Sequence, residues 1–171
     1  MIVLVGFMGA GKTTVGHLLA GRLGLPFIDA DTAIEDRAGC PVRQIFAERG
    51  EPAFRAIEHD TVAGLLAGPD AVLALGGGAA EHPQTRRLLS GSGADVIYLH
   101  VEFAGAVARV GGDDGRPMLA RPDLAAVYRR RLAAYQAVAT LTVRTDGRSP
   151  EDVCLEIMTS LAVAAPRRPV R

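Results

Sequence analysis

Apolar residues fall in short blocks along this chain, and stretches with helical spacing separate them. Ile2-Val3-Leu4-Val5 runs without a polar break, the pattern of a strand covered on both faces. Pro26-Phe27-Ile28-Asp29, Ala71-Val72-Leu73-Ala74-Leu75, Asp95 to Val101 and Leu141 to Arg144 read as four further strands. Between them, apolar positions recur at helical spacing over Thr13–Leu23, Ala33–Arg37, Val42–Arg49, Ala53–Leu66, Pro83–Leu89, Ala104–Val110 and Leu124–Val138. Gly24, Gly39, Pro41 and Gly50 punctuate the helices. Ser149-Pro150-Glu151-Asp152 opens a last helix, which runs to about Leu161. It has a serine cap, proline at the first helical position and an acid at the third. Strands alternating with helices predict an α/β fold with a mainly parallel five-stranded sheet. Gly111 to Pro122 is rich in glycine, acid and proline and reads as a mobile loop. One domain over 1–162 is expected, with a frayed tail over 163–171 and no internal repeat.

The composition narrows the options. Among 171 residues, charged side chains make up 22% and the formal net charge is zero. No basic run suits generic nucleic-acid binding. No apolar stretch is long enough to span a bilayer, and the sequence enters its first strand without a basic leader. Cys40 and Cys154 match no metal-ligand spacing and read as reduced thiols, so a cytoplasmic setting is expected. Of nineteen basic residues, only Lys12 is a lysine.

That lysine lies in Gly6-Phe7-Met8-Gly9-Ala10-Gly11-Lys12-Thr13, the G-x-x-x-x-G-K-[ST] pattern of a phosphate-binding loop. The strand before it and the helix after it supply the context the pattern requires. Glycines let backbone N–H groups turn inward, and the helix N-terminus adds a positive end. A compact ammonium can reach the β- and γ-phosphates, as a planar guanidinium cannot. Gly9, Ala10, Gly11, Lys12, Thr13 and Thr14 are therefore candidate ATP contacts, and the Thr13 hydroxyl is a candidate Mg²⁺ ligand.

Other candidates cluster at strand ends. If the second strand continues through Asp29-Ala30-Asp31, both acids project from one face at the C-terminal edge of the sheet. One could serve the metal and the other a substrate hydroxyl; alternatively, Asp31 caps the next helix. Gly76-Gly77-Gly78 allows close approach to the backbone, or simply makes a tight turn. Arg55 and Glu58 share a helical face, as a positioned guanidinium or as a solvated surface pair. Arg129-Arg130-Arg131 follows Tyr128 on one helix, so at most one or two can face inward. Arg116 sits in the glycine-rich loop, where closure over phosphates would offset transferred charge.

In this order, the phosphate loop, Asp29-Ala30-Asp31, Phe54-Arg55-x-x-Glu58, Gly76-Gly77-Gly78, Arg116-Pro117-Met118-Leu119 and Arg131 with Tyr135 resemble shikimate kinase. The resemblance covers roughly Met1 to Leu161. It implies a phosphate-loop NTPase type of three-layer α/β/α fold with a lid over about 111–122. It also implies transfer of the ATP γ-phosphoryl group to the 3-hydroxyl of shikimate, with Mg²⁺, by a cytoplasmic monomer. By this resemblance Thr13 and Asp29 support the metal, and Asp31 binds the shikimate hydroxyls as candidate base. Arg55 and Arg131 clamp the shikimate carboxylate, Glu58 steadies Arg55, and Gly76, Gly77 and Gly78 line the ring. Arg116 closes on the phosphates, while Arg109 and Arg148-Ser149-Pro150 flank adenine. Ala133-Ala134 stand where the family often has proline and leucine, and Met118 replaces a usual leucine. A kinase of another hydroxy acid such as gluconate, or a non-enzymatic nucleotide-binding module, would share the loop.

Overall fold

The computed structural model describes residues 1–110 and 122–164. The central strand is β1 (Ile2–Val5), wholly buried. It pairs in parallel with β3 (Val72–Ala74) on one side and β4 (Asp95–His100) on the other. β2 (Phe27–Asp29) pairs with β3, and β5 (Leu141–Arg144) with β4, again in parallel. The order β2-β3-β1-β4-β5 sends the chain to one side of β1 and later to the other. The C-terminal end of β1 is thus the switch point, where open parallel sheets bind ligands.

Helices cover the sheet because all its strands except the edges are apolar on both faces. The helices α1 (Lys12–Leu23) and α7 (Pro150–Ala164) pack together. Helix α2 (Ala30–Ala38) is followed by α3 (Val42–Leu66). Gly50 interrupts α3 with φ 75° and ψ 172°, a conformation that a side chain would resist. Pro52 then falls in the first turn of the second segment, where its missing N–H costs little. The sequence reading of two helices around Gly50 corresponds to this break. A 3₁₀ turn (Ala79–Glu81), α4 (Pro83–Gly91), α5 (Phe103–Val110) and α6 (Leu124–Val138) complete the described chain. The 111–121 part of the glycine-rich loop and residues 165–171 of the tail lie outside the described residues.

One large core surrounds the sheet. A second, small cluster of Ile34, Ile45 and Phe54 joins α2 to α3. Burying each of these side chains stabilises by roughly 1.5–3 kcal/mol. The cluster fixes the segment that carries Arg55, whose guanidinium carbon lies 5.2 Å from the Phe54 ring centroid.

Candidate active site

The phosphate loop leaves β1 and enters α1 through Gly11, which has φ 89°. Gly9 has φ 73°, and a Cβ there would lie 2.8 Å from the Ala106 carbonyl oxygen. The loop therefore lies flat against α5 only because Gly9 has no side chain. The Lys12 ammonium donates to the carbonyls of Gly6 at 2.8 Å and Phe7 at 3.2 Å. It is held over the loop.

A cleft of about 440 Å³ opens along this loop. Gly9, Ala10, Gly11, Lys12, Thr13 and Thr14 line it, together with Arg109, Arg148 and Pro150. Arg109 donates to the Gly9 carbonyl at 3.0 Å and to the Thr145 hydroxyl at 2.9 Å. It thus ties the phosphate loop to the segment after β5. Arg148 donates to the carbonyls of Arg144 and Asp152, both at 3.1 Å, and pairs with Glu156. The candidate nucleotide residues within the described chain share one cleft, while Arg116 lies outside the described residues.

The two acids depart from the expected arrangement. β2 stops at Asp29, and α2 begins at Ala30 rather than at Ala33. Asp29, not Asp31, is the cap: its side chain accepts the Asp31 backbone N–H at 3.0 Å. That bond turns the chain into a helix, so the acids do not share a strand face. Asp31 instead projects from the first turn of α2 toward the glycine run. A Cβ on Gly76 would sit 2.8 Å from Asp31 Oδ1 and 3.2 Å from Glu58 Oε1. Burial raises the Asp31 carboxyl above its usual range, as does the charge of Asp29, while Lys12 and Arg55 oppose them.

Arg55 and Glu58 are not a solvated pair. Glu58 is 1% exposed, and its Oε2 accepts from Arg55 Nη1 at 2.6 Å. Glu51, on the solvent side, takes Arg55 Nη2 at 3.1 Å. Burial raises the Glu58 carboxyl despite the adjacent guanidinium. Gly78 leaves room for that guanidinium, since a Cβ there would lie 2.3 Å from Arg55 Nη2. Of the three consecutive arginines on α6, Arg131 faces inward and is buried, whereas Arg130 is exposed. Tyr135, one turn further on, donates to the Gly77 carbonyl at 2.5 Å.

Sequence reasoning missed Glu81. Its carboxylate accepts from both Arg130 Nε and Arg131 Nε at 2.6 Å. It also missed a clip beside it, in which the buried Thr85 hydroxyl lies 3.3 Å from His59 Nδ1 and 3.4 Å from His82 Nδ1. Neither carries a motif. Each is made by segments that meet only in the folded chain.

A phosphate loop beside a carboxylate, a buried arginine and a second, half-buried one marks the class: a phosphate-loop kinase with a small acceptor site. The family model described as shikimate kinase matches residues 8–162. A shikimate kinase of Thermobifida fusca (strain YX) is 50% identical over 167 residues, covering 96% of either chain. The solved shikimate kinase from Acinetobacter baumannii in complex with shikimate has a TM-score of 0.88 at 34% identity, over 97% of this chain and 94% of that one. A gluconokinase from Sinorhizobium meliloti 1021 reaches a TM-score of 0.62 at 20% identity, over 96% and 92% of the two chains, a likeness of fold alone. The chain belongs to the shikimate kinase family.

Proposed function

We propose that this kinase transfers the γ-phosphoryl group of ATP to the 3-hydroxyl of shikimate, giving shikimate 3-phosphate and ADP. The observation that carries this reading is the close approach of both Asp31 and Arg55 to the Gly76–Gly78 run, with Lys12 near enough to act on the Asp31 carboxyl. Arg55 and Arg131 hold the substrate carboxylate, and the glycine run admits the ring against the backbone. Asp31 then accepts the proton of the attacking hydroxyl. An O–P bond to the γ-phosphorus forms as the bond to the β-phosphate oxygen breaks, and the proton passes to Asp31. Lys12 leaves the loop carbonyls for the phosphates and stabilises the charge that develops on them. A carboxyl raised above its ordinary range is a better base than a fully solvated aspartate.

The donor set on this chain suits Mg²⁺. Thr13 would supply one hydroxyl and Asp29 one carboxylate, directly or through water. Among the described residues no group of three or more His, Cys, Asp or Glu could cage a metal. That matches a cation that keeps several waters and takes its other ligands from phosphate. When bound, Mg²⁺ neutralises charge on the β- and γ-phosphate oxygens. Arg109, Arg148 and Pro150 flank the adenine end of the cleft. We further propose a single domain over 1–162 that acts as a cytoplasmic monomer; among the described residues no helix is long and apolar enough to cross a membrane.

The test is an ADP-release assay with ATP and Mg²⁺ across shikimate, quinate and gluconate. Turnover with shikimate well above the other two is the expected result. No turnover with shikimate would sink the proposal, and preference for gluconate would assign a different acceptor.

A further inference from the structure

Glu81 occupies the last position of the 3₁₀ turn that follows the glycine run. Its two carboxylate oxygens are divided between neighbouring arginines of α6. Oε1 accepts from Arg130 Nε and Oε2 from Arg131 Nε, both at 2.6 Å. The Arg130 side chain is 63% exposed and the Arg131 side chain 11%. The bond to Arg131 is thus largely shielded from water, while that to Arg130 is not. A guanidinium has two donor edges. With Nε engaged by Glu81, the Nη groups of Arg131 lie toward the glycine run; a Cβ on Gly77 would sit 3.2 Å from Nη1.

We propose that Glu81 is the positioning residue of Arg131: it takes the Nε edge and so presents the Nη edge to the substrate carboxylate. The inference rests on the proposed role of Arg131 in holding that carboxylate. Glu58 has a similar relation to Arg55, so each anchoring arginine has a carboxylate of its own. Two further observations make Glu81 a firm support. Thr85, fully buried, meets both His82 and His59, which clips the segment after Glu81 onto α3. Burial pushes the Glu81 carboxyl up, but hydrogen bonds from Arg130 and Arg131 outweigh it and hold the carboxyl below its usual range. The two guanidinium contacts thus favour the ionised form of Glu81. It offsets one of the two positive charges and leaves one to meet the substrate.

Steady-state kinetics on Glu81→Ala, Glu81→Gln and Arg131→Ala test this. Glu81→Ala should raise the shikimate KM about tenfold, with kcat and the ATP KM within about twofold, because only acceptor binding loses its preset geometry. Glu81→Gln is isosteric, keeps one acceptor, and should fall between parent and Ala. In an Arg131→Ala background, Glu81→Ala should add little further rise. A shikimate KM unchanged or lowered in Glu81→Ala and Glu81→Gln would overturn the proposal, and so would equal losses on both substrates. If Arg131→Ala itself leaves the shikimate KM unchanged, the failure lies with the carboxylate role of Arg131. If Arg131→Ala raises it and the Glu81 variants do not, the failure is that of Glu81 alone.

Discussion

Arg55→Ala should cost this protein both substrate affinity and a pH-dependent share of its stability. The substitution leaves the Glu58 carboxylate, 1% exposed, without its 2.6 Å partner. Breaking a buried ion pair from one side costs about 3–5 kcal/mol. Glu58 can escape by binding a proton. At pH 7.5, three units above the ordinary glutamate value of 4.5, that costs about 4 kcal/mol at 1.36 kcal/mol per unit. Protonation therefore caps the loss near that figure. At pH 5 the cap falls below about 1 kcal/mol. The sign is set by the raised carboxyl of the folded state. The stability it contributes is fully present below the unfolded-state value and lost as pH rises. Urea unfolding followed by circular dichroism should thus show a deficit against the parent of about 3 kcal/mol at pH 7.5 that nearly closes at pH 5. Adding Glu58→Gln should recover much of it at pH 7.5. A deficit equal at both pH values would refute the argument that burial of Glu58 sets the cost. In the kinetics, loss of a charge-assisted contact worth about 1.5–3 kcal/mol should raise the shikimate KM roughly 10- to 150-fold. Equal rises in the ATP and shikimate KM would remove Arg55 from the carboxylate site.

Asp31→Asn should cut kcat about 10²- to 10⁴-fold with ATP affinity nearly intact, as measured by nucleotide titration; ordinary turnover would leave Asp31 a structural acid. In the parent, activity should fall as acid protonates Asp31, with the acidic limb of kcat/KM above the ordinary aspartate value of 3.8, and Asp31→Asn should abolish that limb. Gly78→Ala places a methyl 2.3 Å from Arg55 Nη2. The long side chain can yield, so the thermal midpoint should move by no more than about 3 °C while the shikimate KM rises about tenfold; an unchanged KM would show that the guanidinium has no fixed place.

Much of the fold was legible because each β-strand and its following helix differ in period, and because Gly and Pro mark their ends. The phosphate loop was legible for the same reason: its chemistry lies in consecutive residues. The placement of Asp31 stayed open because a strand and a helix N-terminus place a residue two positions on quite differently. The choice between them was made by one Asp29 side-chain bond, which no periodicity records. The Arg55–Glu58 spacing fitted a positioned guanidinium or a solvated surface pair; the close approach of Gly76, distant in the chain, is what no spacing records. Glu81 was invisible because a three-residue turn has no period to read, and its two partners lie on α6.

The strand order also has a consequence for how the protein is made. β1 is synthesised before its two parallel neighbours, yet Ile2 finds its partners only at Val72 and Asp95. At about 5–20 residues per second on a ribosome, the central strand waits on the order of ten seconds before both its edges can be covered. During that interval, four consecutive apolar residues are in the nascent chain without a sheet to enter. The phosphate loop inherits the delay, since it is suspended from the end of that strand. Its glycine-rich backbone cannot be held in place until the strands from Val72 and Asp95 have followed it.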